Sequence, residues 1–193
     1  MANLAVFASG SGTNFQAIAE ALRTTRHRTA CLITDNKNAF ALRRAETLGI
    51  PSHCISYKGR SREEAEAEML SILSPYRITY IALAGYMRLL TPRLIDAYPS
   101  RIVNIHPSLL PKYAGAHGIA ESYASGDMEL GITVHYVDYG LDSGPIILQK
   151  SFIRSSAESM EEIETRIHEL EHLWYPQVLA TLLDAAEVEE RTH

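Results

Sequence analysis

An α/β fold, built on a mostly parallel but mixed sheet with helices on both faces, is what this sequence predicts, on three observations. Short, continuously apolar runs recur along the chain, as strands buried on both faces do. Segments of helical period separate them, with caps at their starts and Gly or Pro at their stops. The strand–helix order repeats through the first half, and each parallel crossover needs a covering helix.

The elements follow in order. Leu4–Ala8 is the first strand and Asn14–Leu22 the helix after it. Thr29–Thr34 is the second strand, followed by a helix over Phe40–Leu48 that stops at Gly49-Ile50-Pro51. Ser52–Ile55 is a short third strand, and Ser61 with Glu64 three residues on forms a capping box for the next helix. Tyr80–Ala84 is apolar throughout, a buried strand, and Thr91-Pro92 offers a cap and a first-turn proline. Ile102–Ile105 is the next strand. The order then changes: Gly131–Tyr136 and Pro145–Phe152 are strands with only a Gly- and Asp-rich loop between them, which calls for an antiparallel portion. Ser159 with Glu162 is a second capping box, opening a helix to Tyr175. Pro176 lacks an N–H and crowds the preceding turn, so it should kink or break that helix before the pattern resumes through Leu183. No repeat or linker interrupts the chain, and residues 1–193 read as one domain.

Composition narrows the function classes. At 46% apolar and 21% charged residues the chain can build a substantial core. A net charge of −5 without a basic run argues against a polynucleotide partner, which needs a basic face to release counterions. A small anion remains compatible, because helix N-termini hold phosphate in acidic proteins too. There is no leader-like start and no apolar run of the ~20 residues a membrane span needs. Cys31 and Cys54 have no metal-like spacing and read as thiols of a reducing, cytoplasmic compartment.

Ligands of open parallel sheets bind beyond the carboxyl ends of the strands, and three segments sit there. Ser9-Gly10-Ser11-Gly12-Thr13-Asn14 follows the first strand and opens a helix. Phe15 stands where a dinucleotide fingerprint has its third glycine, and no Lys-Ser/Thr follows, so the turn suits a single phosphate or a plain helix cap. In Asn104-Ile105-His106-Pro107, residues two apart on a strand project together, so an amide and an imidazole share one side before the proline ends the strand. Such a pair can move a proton and stabilise an oxyanion, although a lone strand-end histidine is more often structural. Asp138-Tyr139-Gly140-Leu141-Asp142-Ser143-Gly144 is either an ordinary turn or a carriage for an aspartate that orients His106. A further motif, His168-Glu169-Leu170-Glu171-His172, matches the zinc-hydrolase H-E-x-x-H, but acidic amphipathic helices produce it by chance and no third ligand follows.

Taken with Leu83–Leu90, Gly131–His135, Leu141–Ile147 and Glu171-His-x-x-Tyr-Pro176, these motifs resemble the folate-dependent formyltransferases over about Leu4–Leu183. The Ser-Gly-x-Gly-x-Asn turn and the last helix resemble the branch acting on glycinamide ribonucleotide. The resemblance implies a Rossmann-like fold, with the nucleotide phosphate site in the N-terminal half and the folate site and catalytic loop in the C-terminal half. It implies transfer of formyl from 10-formyltetrahydrofolate, the co-substrate, to the nucleotide's amine, without metal, in a monomer or homodimer. Asn104, His106 and Asp142 would be catalytic, and Gly12, Thr13 and Asn14 would hold the phosphate. Glu171 and Pro107 would contact the nucleotide. Arg62, Met87, Arg88, Leu89, Leu90, Ile95, Tyr139, Gly140 and Leu141 would receive the folate. Ala114, Ala116 and His168 depart from the family pattern, as does the ending Glu187–His193, where a longer strand-bearing tail is expected. The rivals are a formyltetrahydrofolate hydrolase, expected to carry an extra N-terminal domain, and a non-catalytic nucleotide- or folate-binding module.

Overall fold

A computed structural model describes residues 1–192, with the side chains of residues 1–189. Seven strands form one sheet in the order β3-β2-β1-β4-β5-β6-β7. They are β1 (Asn3–Phe7), β2 (Arg28–Thr34), β3 (Ser52–Cys54), β4 (Tyr80–Leu83), β5 (Ile102–His106), β6 (Glu129–Tyr136) and β7 (Ile146–Ile153). β1 to β5 pair in parallel, and β6 and β7 add antiparallel at one edge. The strand order reverses between β1 and β4, which places a crevice beyond their carboxyl ends.

Period-two alternation along the central strands builds a core on each face. Leu4, Val6, Ala82 and Val103 face α1 (Thr13–Leu22) and α6 (Met160–Thr192), while Ala5, Phe7, Ile81 and Ile102 face α3 (Arg62–Leu73) and α4 (Pro92–Ala97). Full burial of each large apolar side chain is worth roughly 1.5–3 kcal/mol. α2 (Phe40–Leu48) completes the crossover from β2 to β3.

The structure changes three expectations. The helix does not end at Pro176; α6 runs unbroken from Met160 to Thr192 with that proline inside it. Ile163, Ile167, Glu171, Tyr175, Leu179 and Leu183 are buried at every fourth position, and this packing offsets the roughly 3 kcal/mol a helix-interior proline costs. Thr91 precedes α4 without capping it: its N–H and hydroxyl both go to the buried carboxylate of Glu66, the N–H at 2.8 Å. A further short helix, α5 (Gly118–Ala124), lies between β5 and β6, where seven residues opening on glycine are too few to show a helical period. The ending expected to differ in its pairing continues α6 to Thr192, and its final residue lies outside the described ones. Among the described residues no helix is long and apolar enough to cross a membrane.

Candidate active site

The carboxyl end of β5 carries the reactive pair. His106 is the last strand residue and Pro107, without an N–H, cannot extend the ladder. His106 is nearly buried, its Nε2 lies 2.7 Å from the Tyr113 carbonyl, and its Nδ1 lies 3.4 Å from Asp142 Oδ2. Both neighbours only accept hydrogen bonds, so the ring makes both contacts when each nitrogen carries a proton, as imidazolium. The loop between β6 and β7 therefore does reach His106.

Asp142 sits at the centre of a donor set. Gly115 N–H donates to its Oδ2 at 2.8 Å, Asn104 Nδ2 to its Oδ1 at 3.3 Å, and His135 Nε2 lies 3.5 Å from the same Oδ1. Contact with His135 holds its carboxyl below the usual range against the opposing effect of burial, assisted by the Gly115 N–H and the charges of both histidines. The loop that carries it is tightly folded. Asp138 Oδ1 accepts from Gly140 N–H and Ser143 Oγ, and a Cβ at Gly144 would sit 1.8 Å from the Tyr136 carbonyl oxygen. Asp142 itself has φ 51°, a left-handed conformation that Asp tolerates better than most residues.

His135 belongs to this group and carries no role in the sequence reading. It pairs directly with Asn104 across the antiparallel β5–β6 ladder. Its Nδ1 faces the Tyr136 carbonyl at 2.8 Å and so bears a proton, leaving Nε2 beside Asn104 Nδ2 at 3.2 Å. The signal available in sequence is a pair of polar residues, Thr133 and His135, alternating within an otherwise apolar strand. Both are buried, and Thr133 Oγ1 ties down the turn after β5 by donating to Ser108 O and accepting from Leu110 N–H.

At the opposite end, the turn after β1 opens α1. Gly12 is its N-cap with φ 73°, and a Cβ there would lie 2.6 Å from that of Ala41, so only glycine fits. No side chain caps this helix, and its first residues, Thr13 and Asn14, line the crevice, an arrangement that suits an anion. Asn14 Nδ2 donates to Glu171 Oε2 at 2.9 Å, joining this loop to α6. Burial pushes the Glu171 carboxyl above its ordinary value, opposed by the Asn14 bond and the charge of His168.

Both ends open into one cavity of about 800 Å³. Of the residues the sequence reading singled out, Gly12, Thr13, Asn14, Arg62, Met87, Arg88, Leu89, Leu90, Asn104, His106, Pro107, Tyr139, Gly140, Leu141, Asp142 and Glu171 all line it. Ile95 is the correction: it is buried in the core between α3, α4 and the sheet and does not line the cavity, because the first turn of α4 presents Thr91 and Pro92 instead. Met87, Leu89, Tyr139 and Leu141 are each more than half exposed, an apolar rim beside polar groups of the kind that receives a flat ring system. Arg88 is held by a buried partner, 2.6 Å from Asp35, and stacks over Tyr57.

Among the described residues, one group has convergent metal-ligand atoms: His27, Asp184 and Glu187, away from the cavity. Arg26 and the N-terminal ammonium already lie on its carboxylates. In the H-E-x-x-H segment the two rings stack 6.3 Å apart.

Comparison with known proteins places this architecture. The formyl transferase family model matches residues 2–179. The phosphoribosylglycinamide formyltransferase of Bacillus subtilis is 44% identical over 186 residues, 95% of each chain. That of Escherichia coli is 39% identical over 94% of this chain and 87% of its own. The crystal structure of glycinamide ribonucleotide transformylase 1 from Geobacillus kaustophilus is similar with a TM-score of 0.91 at 47% identity, covering 95% of this chain and 99% of that one.

Proposed function

The chain belongs to the formyl transferase family, and on that premise we propose that it transfers the formyl group of 10-formyltetrahydrofolate to the amine of glycinamide ribonucleotide. The products are N-formylglycinamide ribonucleotide and tetrahydrofolate, a step of purine biosynthesis. The observation that carries this reading is the shared cavity, which has an anion-accepting helix start at one end and Asn104, His106 and Asp142 with an apolar rim at the other. A phosphate on the N–H groups at Gly12–Asn14 would orient the nucleotide along the cavity, with Glu171 accepting from its hydroxyl or ammonium groups. The rim of Met87, Leu89, Tyr139 and Leu141 fits the flat folate ring, and Arg62 at the cavity mouth offers a charge to its acidic tail.

The folate supplies the formyl carbon as electrophile, and the rest follows from the protein's own groups. Attack by the amine develops negative charge on the formyl oxygen. The Asn104 amide contacts of 3.2 and 3.3 Å are long, so a developing oxyanion, a far stronger acceptor, can draw one hydrogen to itself. The His106 imidazolium adds its charge from the same side of β5. Asp142, held ionised, keeps that charge favourable and helps route the proton the amine must lose toward the departing folate nitrogen. An equal proton returns to the departing folate nitrogen, so no net acid or base is consumed. No covalent intermediate is called for.

The test is an absorbance assay of folate release with purified protein and 10-formyltetrahydrofolate, with and without glycinamide ribonucleotide. Release that requires the nucleotide supports the proposal. Equal release without it converts the reading to a hydrolase, and no release in either case to a binding module.

A further inference from the structure

Beneath the cavity lies a side chain that the reaction as described does not use. Tyr175 on α6 is completely buried, and its hydroxyl reaches two strands at once, the Leu83 carbonyl at 3.0 Å and the Val103 carbonyl at 2.9 Å. Leu83 ends β4 and leads directly into the segment Ala84–Leu90 that lines the folate side. Val103 immediately precedes Asn104. The β4–β5 pairing runs up to Leu83 opposite Asn104 and goes no further, and the next residue, Ala84, turns its N–H to Phe7 on β1 instead. One phenol hydroxyl therefore bridges the two strands at the point where they part to open the cavity. Burial raises its pKa far above the ordinary phenol value, so it stays a donor at every working pH.

We propose that Tyr175 is a positioning residue for formyl transfer. Its shared hydroxyl fixes the separation of β4, which leads to the donor's pocket, from β5 at Val103, beside Asn104, and so sets where the Asn104 amide meets the formyl group. The proposal rests on the reading of the cavity given above.

Tyr175→Phe removes one oxygen and leaves the ring in place. It is expected to lower kcat about tenfold, with KM for both substrates within about twofold of wild type and an unchanged circular-dichroism spectrum. In an Asn104→Ala background, followed by single-turnover kinetics, the same change is expected to cost less than about twofold, because its effect passes through Asn104. An unchanged kcat, a loss carried by KM alone, or the same tenfold loss in both backgrounds overturns the proposal; the last would mark general loosening of the core. Nuclear magnetic resonance of the protein without substrates separates this inference from the functional reading. The Asn104 side-chain amide signals are expected to shift in Tyr175→Phe whatever reaction the cavity performs, and unmoved signals overturn the positioning role. Should Tyr175→Phe not fold, 4-aminophenylalanine at position 175 keeps the ring with a weaker, longer donor. It is expected to move the same signals and lower kcat about threefold, and wild-type values of both would overturn the proposal.

Discussion

The cavity holds a carboxylate at each end, and the two are tuned in opposite directions. Asp142 faces two histidines, an amide and a backbone N–H, and its acidity is strengthened. Glu171 is more deeply buried, has one amide donor in Asn14, and its acidity is weakened. The same chemical group thus serves as a fixed negative charge where several donors converge on it, and as a reluctant one where burial outweighs its single partner. The first suits a residue that must hold His106 charged throughout turnover. The second suits one that gains its full set of partners only when a hydroxyl or ammonium group arrives.

Breaking the Asp142 end should have the largest consequence. His106→Ala removes the charge that Asp142 is tuned to hold, and kcat is expected to fall about 10³-fold, the scale of losing an oxyanion donor together with proton-transfer help. A circular-dichroism spectrum like that of wild type would show the fold intact, and turnover near wild type would remove His106 from the mechanism. Asp142→Asn is expected to cost about 10²-fold in kcat and to change the pH–rate profile, since the amide can neither hold the imidazolium nor help route a proton. Its stability signature has a definite sign. A carboxyl with a depressed folded-state pKa stabilises the fold fully above its unfolded value, near 3.8, and loses that contribution as pH falls through the lower folded value. Urea denaturation should therefore show wild type ahead of Asp142→Asn at pH 5–7, with the gap closing below about pH 4. A gap independent of pH would break the contrast between the two carboxylates.

How much of this was legible in sequence differs by element. Leu4, Val6, Ala5 and Phe7 announce a two-faced buried strand by being apolar at every position, so the central sheet and its crevice follow from local chemistry. Asn104 and His106 share a side because strands have period two, and that too is local. His135 is different: its role arises only because β6 pairs antiparallel to β5 in the register that sets it opposite Asn104, and register between segments is not written in either one. Asp142 reaching His106 is likewise a long-range fact, one that only the resemblance implies. Pro176 shows the reverse, a local rule for breaking a helix overruled by a continuous buried stripe along α6. The resemblance puts Ile95 at the pocket, but the turn of α4 commits it to the core.

At the other carboxylate the effects are smaller and fall on binding. Glu171→Gln retains an acceptor but loses the charge, so KM for the nucleotide is expected to rise about tenfold while kcat stays within about threefold. A carboxyl whose folded-state value is raised destabilises the fold progressively as pH climbs from its unfolded value near 4.5 through the folded one. Glu171→Gln should therefore be relatively more stable, against wild type, at pH 7 than at pH 4, the opposite trend from Asp142→Asn. Parallel trends in the two variants, followed by urea denaturation, would show that the cavity does not treat its carboxylates differently.

The smallest change separates burial from charge at the Glu171 end. His168 lines the cavity one turn before Glu171 and opposes the effect of burial there. An imidazole exerts a charge only when protonated, so comparison of pH 6 with pH 8 separates a charge contribution from mere contact. His168→Gln removes that charge while keeping a polar side chain. At pH 8 the nucleotide KM is expected to match wild type within experimental scatter. At pH 6 it should rise about two- to threefold, because Glu171 has lost the neighbour that favoured its ionised, ligand-accepting form. The Asp142 end is untouched, so kcat should hold at both pH values. An equal rise in KM at pH 6 and pH 8 would mean that His168 contributes contact and not charge, and the tuning of Glu171 would then lie with burial and Asn14 alone.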